Sequence, residues 1–387
     1  MRDFDLIVYG ATGFTGRLVA EYLVRAYPGG DAPRWAMAGR SLAKLEEVRD
    51  LIGAPADLPL VVADADDPAS LAAMVARAEA VVTTVGPYQL YGTALVGACV
   101  KAGTAYLDLC GEPAWMRQMI DAHEAEAKAT GARIVFSCGF DSIPFDLGVL
   151  TVQEQATKRF GRPAPRVKGR VRVMKGSFSG GTAASLKATL AAAARDPSLV
   201  KLLTDPFALT PGFRGPHQPT GLIPEFDATL NAWVAPFVMA PINTKNVHRT
   251  NFLLGHAYGP DFVYDEMMVA GLGDIGKAAA EAMAAFNPFK GDKGPKPGEG
   301  PSAAEREAGH YDLLFAAIEP DGGRADAVVT GDRDPGYGST SKMIAETALC
   351  LVRDVKGEGG VWTPGALMGP ELRKRLIDHA GMTFTAS

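Results

Sequence analysis

One stretch near the amino terminus decides the fold: Phe4-Asp5-Leu6-Ile7-Val8-Tyr9-Gly10-Ala11-Thr12-Gly13-Phe14-Thr15-Gly16. Its apolar run predicts a buried strand, and the three glycines that follow predict a tight turn opening a helix. Gly10 suits the turn, Gly13 lets backbone approach a pyrophosphate, and Gly16 lets the helix pack closely on the sheet. We therefore expect a dinucleotide phosphate at this helix N-terminus, beside the other turn residues Thr12, Phe14 and Thr15. A purely structural turn is the alternative.

Short apolar runs alternate with amphipathic segments through residues 1–150. The strand candidates are Phe4–Gly10, Arg34–Gly39, Leu60–Asp64, Ala80–Val85, Ala105–Leu109 and Arg133–Ser137. The helix candidates are Arg17–Tyr27, Leu42–Ile52, Pro68–Ala78, Ala94–Ala102 and Trp115–Thr130. Parallel strands need a crossover helix to connect them, so this alternation predicts an α/β fold. We expect residues 1–150 to form a Rossmann domain with a doubly wound parallel sheet.

The pattern changes in the second half of the chain. Polar and apolar residues alternate from Val167 to Met174, which indicates a strand with one polar face. Further strand candidates are Phe262–Val269, His310–Ile318 and Arg324–Thr330, the last two joined by the turn Glu319–Gly323. Helix candidates are Thr182–Arg195, Asp274–Phe286 and Ser339–Arg353. We predict an α+β domain over residues 151–335, with a mostly antiparallel sheet, helices on one face and a mobile loop at 288–304.

Composition excludes several classes of protein. The chain has 387 residues, 47% of them hydrophobic, and a formal net charge of −5, so no basic face for nucleic acid is expected. The four cysteines form no C-x-x-C pair and the six histidines are scattered, so no metal site is predicted. Because no run of about 18 apolar residues occurs, no spanning helix is expected. We expect a reduced, soluble, cytoplasmic protein.

The end of the second predicted strand favours one cofactor over another. A ribose 2′-hydroxyl is usually bound by an acidic residue at that position, whereas this chain has Arg40 and Ser41, with Lys44 a helical turn later. A guanidinium can pair with a 2′-phosphate through two hydrogen bonds, so NADP(H) is favoured over NAD, an ordinary solvated arginine being the alternative. Asp64, after the third strand, is predicted to contact the adenine.

The carboxyl end of the fourth strand is a second candidate binding region. It reads Gly86-Pro87-Tyr88, and ligands of open α/β sheets bind at such strand ends. Tyr88 is either a hydrogen-bond donor to substrate or an amphipathic wall residue.

A second glycine-rich run is predicted to be unrelated to ligand binding. Gly271–Lys277 satisfies a dinucleotide triad and most of a phosphate-binding loop, but Ala278 replaces the hydroxyl residue that would hold Mg²⁺. The preceding strand carries Asp265 and Glu266, which a buried parallel strand is not expected to tolerate. We interpret the run as a turn before a helix. His248 and His256 are interpreted as structural.

The order and spacing of many short motifs resemble the saccharopine dehydrogenase-like oxidoreductases, in the branch that contains the trans-acting enoyl reductases. The matching motifs are Gly10–Gly16, Ala38–Ser41, Val85–Tyr88, Tyr91-Gly92, Tyr106–Asp108, Gly111-Glu112, Gly139–Ser142 with Pro144 and Asp146, Ser179–Thr182, Gly331-Asp332, Asp334–Tyr337, and Trp362–Gly365 with Gly369 and Leu372.

The resemblance implies a Rossmann domain that binds NADP, a second domain that supports homodimerisation and the substrate cleft, and residues 336–387 as helices packing back on the first domain. It also implies that the loop Gly139–Pro144, with Gly139 and Phe140, lies near the nicotinamide. The basic residues that saccharopine enzymes use for a dicarboxylate amino acid have no recognisable counterpart here. The resemblance to the lipid-pathway branch instead implies reduction of an α,β-unsaturated acyl chain made by a polyketide synthase. The apolar stretch Trp233–Met239 either walls such a chain or belongs to the core. Peripheral association with a membrane or lipid is an alternative to a purely cytoplasmic location.

Reduction needs a hydride from the nicotinamide and a proton donor near the developing anion. The candidate donors are Tyr88 and Asp141, with Ser142 as a relay, and water is equally compatible. Asp141 can act as an acid only if burial raises its pKa well above about 3.9. Its alternative role is a helix cap.

Three functions follow from the sequence: an NADP-dependent enoyl reductase of a lipid or polyketide acyl intermediate, a saccharopine-type amino-acid dehydrogenase acting at a C–N bond, and a non-catalytic NADP-binding redox sensor or lipid-associated module.

Overall fold

A computed structural model describes residues 2–176, 180–286 and 299–387, which form two seven-stranded sheets. The strands, in chain order, are β1 (Phe4–Tyr9), β2 (Trp35–Gly39), β3 (Leu60–Val62), β4 (Ala78–Thr83), β5 (Ala105–Leu107), β6 (Arg133–Val135), β7 (Arg166–Lys175), β8 (Glu225–Asp227), β9 (Ala232–Pro236), β10 (Val263–Gly271), β11 (His310–Ile318), β12 (Arg324–Gly331), β13 (Gly360–Trp362) and β14 (Met382–Ala386).

The helices are α1 (Phe14–Ala26), α2 (Leu42–Leu51), α3 (Pro68–Val75), α4 (Tyr88–Tyr91), α5 (Thr93–Ala102), α6 (Pro113–Thr130), α7 (Ile143–Phe160), α8 (Gly180–Arg195), α9 (Pro197–Thr204), α10 (Ala240–Leu253), α11 (Gly273–Ala285), α12 (Ala303–Ala308), α13 (Thr340–Leu349) and α14 (Pro364–His379). Two π-helical turns, Pro335–Ser339 and Cys350–Asp354, flank α13. Within the described ranges no helix has the length and apolarity that crossing a membrane requires.

The first sheet is parallel throughout and has the order β13-β6-β5-β4-β1-β2-β3. β1 lies in the centre and its side chains are buried except for Asp5, as expected for a strand covered on both faces. The strand order reverses between β1 and its neighbour β4, which places a crevice at the carboxyl ends of these strands. The predicted Rossmann fold is therefore confirmed.

The second sheet has the order β14-β12-β11-β7-β10-β9-β8 and is mostly antiparallel, as predicted. Its exception is the pair β7 and β10, which run parallel. The expectation that Asp265 and Glu266 exclude a buried parallel strand is therefore wrong, since both carboxyls are buried in β10.

Two different interactions make these buried carboxyls tolerable. Asp265 pairs with Arg166 and with Nη1 of Arg170, at 2.8 Å for the latter. Glu266 accepts hydrogen bonds of 2.9 Å from Asn243 and Tyr264, and burial raises its pKa well above the usual 4.5. A paired charge and a carboxyl that favours its neutral form both avoid the cost of an isolated buried charge.

Several segments differ from the sequence predictions. The stretch Trp233–Met239 overlaps β9, whose Val234 is fully buried, and the following helix α10 was not predicted. The carboxy-terminal residues form helices but also two strands that were not predicted: β13 extends the first sheet and β14 extends the second. Of the loop predicted at 288–304, residues 288–298 lie outside the described residues, and α12 begins before its end. Ser179 of the Ser179–Thr182 motif also lies outside them.

The second glycine-rich run is a turn between β10 and α11, as predicted. A side chain at Gly276 would place its Cβ 2.2 Å from the Gly271 carbonyl oxygen, so close packing within the turn explains the glycine.

Candidate active site

The turn between β1 and α1 has two positions, Gly10 and Gly16, at which the structure leaves no space for a side chain. We call this turn the glycine cradle. Gly10 has a φ of +87°, and a Cβ there would lie 2.7 Å from Cγ2 of Val85. A Cβ on Gly16 would lie 2.2 Å from the Gly10 carbonyl oxygen. The Gly13 amide donates to that same oxygen at 2.9 Å, which closes the turn around Thr12. The backbone is therefore held close to the start of α1.

The N-terminus of α1 has the character of an anion site. In the part of the chain that the structure describes, no side chain caps this helix at Gly13, and its first turn carries no acidic residue. Free amides and the helix dipole at such an end favour a phosphate. The turn thus fits the pyrophosphate of a dinucleotide.

The residues predicted to select the cofactor lie at the end of β2, and Asp64, predicted to contact the adenine, lies after β3. Arg40 is exposed and, among the described residues, makes no ion pair or side-chain hydrogen bond. Ser41 caps α2 by accepting from the Lys44 amide at 3.4 Å. Asp64 is half-buried, and its charge adds to burial in raising the pKa of Tyr9 to about 12. Because Arg40 forms no ion pair with a carboxylate of the described residues, its guanidinium is available to a 2′-phosphate.

A cleft of about 350 Å³ lies between the carboxyl edge of the first sheet and the second domain. Five of the predicted site residues line it: Thr15, Tyr88, Gly139, Phe140 and Asp141. Gly86 and Pro87 lie beside it, between β4 and α4, without forming its wall.

The opposite wall of the cleft is mainly apolar. Leu203 of α9 and Val238, Met239 and Ile242 around the start of α10 contribute to it. Among the described residues, Asp141 is the only carboxylic acid in the lining, and no arginine, lysine or histidine lines the cleft.

Tyr88 is a wall residue whose polar groups are already engaged. It is 5% exposed, and its hydroxyl donates to the Thr83 carbonyl at 3.3 Å and accepts from the Leu109 amide at 3.1 Å. Its ring stacks on Trp115 at a centroid distance of 5.9 Å. Because its proton already has a backbone acceptor, the geometry favours the wall interpretation of Tyr88 over the proton-donor interpretation.

Asp141 has the properties of an acid rather than of a helix cap. The N-cap position of α7 belongs to Ser142, which makes no side-chain capping hydrogen bond; its hydroxyl oxygen accepts from Asn246 at 2.8 Å. Asp141 lines the cleft, and no described residue forms a hydrogen bond with its carboxyl. Burial raises the pKa of this carboxyl from 3.8 to about 7. A carboxyl with that pKa carries a transferable proton near neutral pH.

A turn from the carboxy-terminal segment completes the cleft. Asp334 accepts from the amides of Tyr337 and Gly338 at 3.0 and 2.8 Å and so fixes the turn. The ring of Tyr337 meets that of Phe14 edge-on at 4.9 Å. Thr340 donates to the Pro335 carbonyl at 2.7 Å and accepts from the Phe140 amide at 3.0 Å.

Known proteins with matching sequences are consistent with this architecture. Residues 6–135 match the family described as the saccharopine dehydrogenase NADP-binding domain. A Mycobacterium tuberculosis (strain ATCC 25618 / H37Rv) protein, provisionally named a trans-acting enoyl reductase, is 43% identical over 97% of this chain and 96% of its own. A trans-acting enoyl reductase of Mycobacterium bovis (strain BCG / Pasteur 1173P2) is 39% identical over the same shares of the two chains.

The chain belongs to the saccharopine dehydrogenase-like family, in its trans-acting enoyl reductase branch. The fold is shared with apo histidine-tagged saccharopine dehydrogenase (L-Glu forming) from Saccharomyces cerevisiae, with a TM-score of 0.56, 10% identity and 99% of each chain covered. As a member of this family the protein is an oxidoreductase with an NAD(P)-binding domain. The glycine cradle and the uncapped start of α1 fit that cofactor.

Sequence reasoning missed two features of this family member's cleft. Glu112, 2% exposed, accepts from the Tyr88 and Gln89 amides at 2.9 and 2.8 Å and so holds the start of α4 against the site. The Gly111-Glu112 motif was its only signal. Tyr337 and Thr340 were also missed, because nothing local to the Asp334–Tyr337 motif indicates that it lies against Gly139–Asp141.

Proposed function

We propose that the protein is an NADPH-dependent enoyl reductase that acts on a lipid or polyketide acyl thioester. The observation that carries this proposal is the lining of the cleft, which combines apolar walls, one carboxyl of raised pKa and, among the described residues, no basic side chain. An acyl chain gains free energy from such walls, whereas the carboxylates of an amino-acid substrate need cationic partners. The names of the relatives point the same way.

The preference for NADPH rests on the end of β2. Arg40 is exposed and unpaired within the described residues, at the position where NAD enzymes usually carry an acid. Its guanidinium suits the 2′-phosphate, while the start of α1 suits the pyrophosphate.

Each group would then have one task in the reaction. A nicotinamide cofactor held by the glycine turn at the start of α1 would supply the hydride for the β-carbon of the enoyl group, and negative charge would then develop on the thioester oxygen. Asp141 gives its carboxyl proton to the α-carbon, which yields the saturated thioester, and the resulting carboxylate regains a proton from water. Tyr88, Phe140 and Met239 exclude water from the reacting carbons.

The test is NADPH oxidation, followed at 340 nm, with purified protein and a medium-chain 2-enoyl thioester. We expect saturable turnover with NADPH, weaker turnover with NADH, and reduced NADPH use in an Arg40→Ala variant. Saccharopine and imine substrates serve as controls. NADPH binding without turnover of any enoyl thioester would refute the proposal, and turnover of an imine or amino acid alone would select C–N chemistry instead.

A further inference from the structure

Tyr337 has a buried hydroxyl that forms no hydrogen bond with the described residues. Its side chain is 2% exposed and lines the cleft, yet within the described residues its hydroxyl has no hydrogen-bond partner. Leaving a buried hydroxyl unpaired costs stability unless something else meets it. The turn that holds this tyrosine is nevertheless built firmly, through the Asp334 cap and the Phe14 contact at 4.9 Å.

Three other hydroxyls around the cleft already donate their protons to acceptors in the protein. Tyr88 donates to a backbone carbonyl, Ser185 donates to Glu112 at 2.8 Å, and Thr340 donates to Pro335. The Tyr337 hydroxyl is thus a buried donor with an unused proton, on a residue that lines the cleft. Burial and the charge of Asp334 raise its pKa above the usual 10, so the hydroxyl keeps that proton at neutral pH.

Tyr337 is coupled in position to the loop that carries the acid. Thr340 bonds to the Pro335 carbonyl on one side and to the Phe140 amide, next to Asp141, on the other. A Cβ on Gly139 would lie 2.9 Å from Cγ2 of Thr340, so this loop and the turn are in close contact. Asp141 and Tyr337 therefore line one cleft, on two segments held together by a buried threonine.

We propose that the Tyr337 hydroxyl donates a hydrogen bond to the thioester carbonyl oxygen of the substrate. This inference rests on the proposed function, because that oxygen gains negative charge when hydride adds to the β-carbon. A fixed donor at the position where charge develops stabilises the transition state more than the ground state. Tyr337 would thus be a catalytic residue that stabilises the oxyanion, while Asp141 provides the proton.

The variant Tyr337→Phe removes the hydroxyl and keeps the ring that packs on Phe14. We expect kcat to fall by about 10²- to 10³-fold, as for other single oxyanion donors. The Kd for NADPH stays within twofold and the melting temperature does not fall, because no protein hydrogen bond is lost. Tyr258→Phe is the matched control: Tyr258 is 4% exposed and its hydroxyl is also unpaired within the described residues, but it does not line the cleft.

A spectroscopic measurement separates this role from a structural one. A 2,4-dienoyl thioester absorbs at longer wavelength when a hydrogen bond polarises its carbonyl, and NADP⁺ in place of NADPH prevents its turnover. We expect a red shift on binding to the wild-type protein and to Tyr258→Phe, and none with Tyr337→Phe.

The outcomes distinguish the two proposals. Unchanged kcat and an intact red shift in Tyr337→Phe overturn the role of Tyr337 and leave the enoyl reductase proposal standing. A tenfold weaker NADPH affinity with the red shift intact also overturns it, because the hydroxyl then serves the cofactor. Wild-type protein that binds NADPH but neither reduces nor binds enoyl thioesters refutes the proposed function itself.

Discussion

Replacing Asp141 with asparagine tests the assignment of the acid. The substitution keeps the shape of the side chain and removes the transferable proton. General acid catalysis by a positioned side chain contributes about 10²- to 10⁴-fold, so we expect kcat with a 2-enoyl thioester to fall within that range. NADPH affinity stays unchanged, because the site proposed for the phosphates lies at the start of α1.

The pH dependence gives a second, quantitative expectation. Burial raises the pKa of Asp141 to about 7, and the acid is active only when protonated. The value of kcat/KM should therefore be highest below pH 7 and fall as pH rises, to about one tenth at pH 8 and about one hundredth at pH 9. Initial rates measured between pH 6 and pH 9 would define this alkaline limb, the fall of kcat/KM above pH 7. The alkaline limb should be absent from the residual activity of Asp141→Asn.

Asp146 provides the matched control for this experiment. Burial raises its pKa to about 7 as well, but its carboxylate accepts from the Gly365 amide at 2.8 Å and does not line the cleft. Asp146→Asn should keep both the rate and the pH profile. The reasoning is wrong if Asp141→Asn retains kcat within threefold, or if the alkaline limb persists in it.

Three further predictions concern the cofactor site and the stability of the fold. Arg40→Ala should weaken NADPH binding about 10- to 100-fold, because a hydrogen bond to a charged group is lost, and should leave NADH binding unchanged. Fluorescence titration measures both affinities, and equal losses would contradict the role of Arg40 at the 2′-phosphate. Gly16→Ala should weaken both cofactors at least tenfold, because its Cβ would lie 2.2 Å from the Gly10 oxygen, whereas Gly97→Ala, with its nearest neighbour at 3.7 Å, should have no effect on the same titration. Since burial raises the pKa of Asp146 from 3.8 to about 7, the native state binds this proton more tightly than the unfolded state. The free energy of unfolding should therefore fall as pH rises from about 4 to about 7. Denaturant titrations should show a smaller dependence of this free energy on pH in Asp146→Asn, and an equal dependence would contradict the assignment.

The first domain could be predicted from the sequence because its signals are local. A strand, a glycine turn and a helix follow one another within Phe4–Ala26, and each pattern has one structural meaning. The strand-and-helix alternation of the parallel sheet repeats that information several times. Only the last strand of the sheet was missed, since β13 has three residues and pairs with β6 from a point more than two hundred residues later.

Helix α10 shows why the second domain was harder to predict. Its sequence, Ala240–Leu253, carries lysine, histidine, arginine and three asparagines, a composition typical of an exposed segment. The structure buries all six of these side chains: Arg249 donates to the Leu209 and Val361 carbonyls, and Asn243 donates to Glu266 at 2.9 Å. A polar residue that is buried with its partner cannot be distinguished in sequence from one in water, because the partner lies elsewhere in the chain.

The same argument explains which half of the candidate site could be predicted. Residues that contact a cofactor through backbone, such as Gly10 and Gly16, are specified by local geometry and leave a readable motif. Groups that act on a substrate are specified by what surrounds them. Asp141 becomes an acid only because its surroundings in the fold raise its pKa, and Tyr337 joins it only through Thr340, two hundred residues after Phe140. Tyr88 stands closest to the binding motifs in sequence, yet its proton is held by the Thr83 carbonyl, so proximity to a motif is weaker evidence for catalysis than an unsatisfied hydrogen bond.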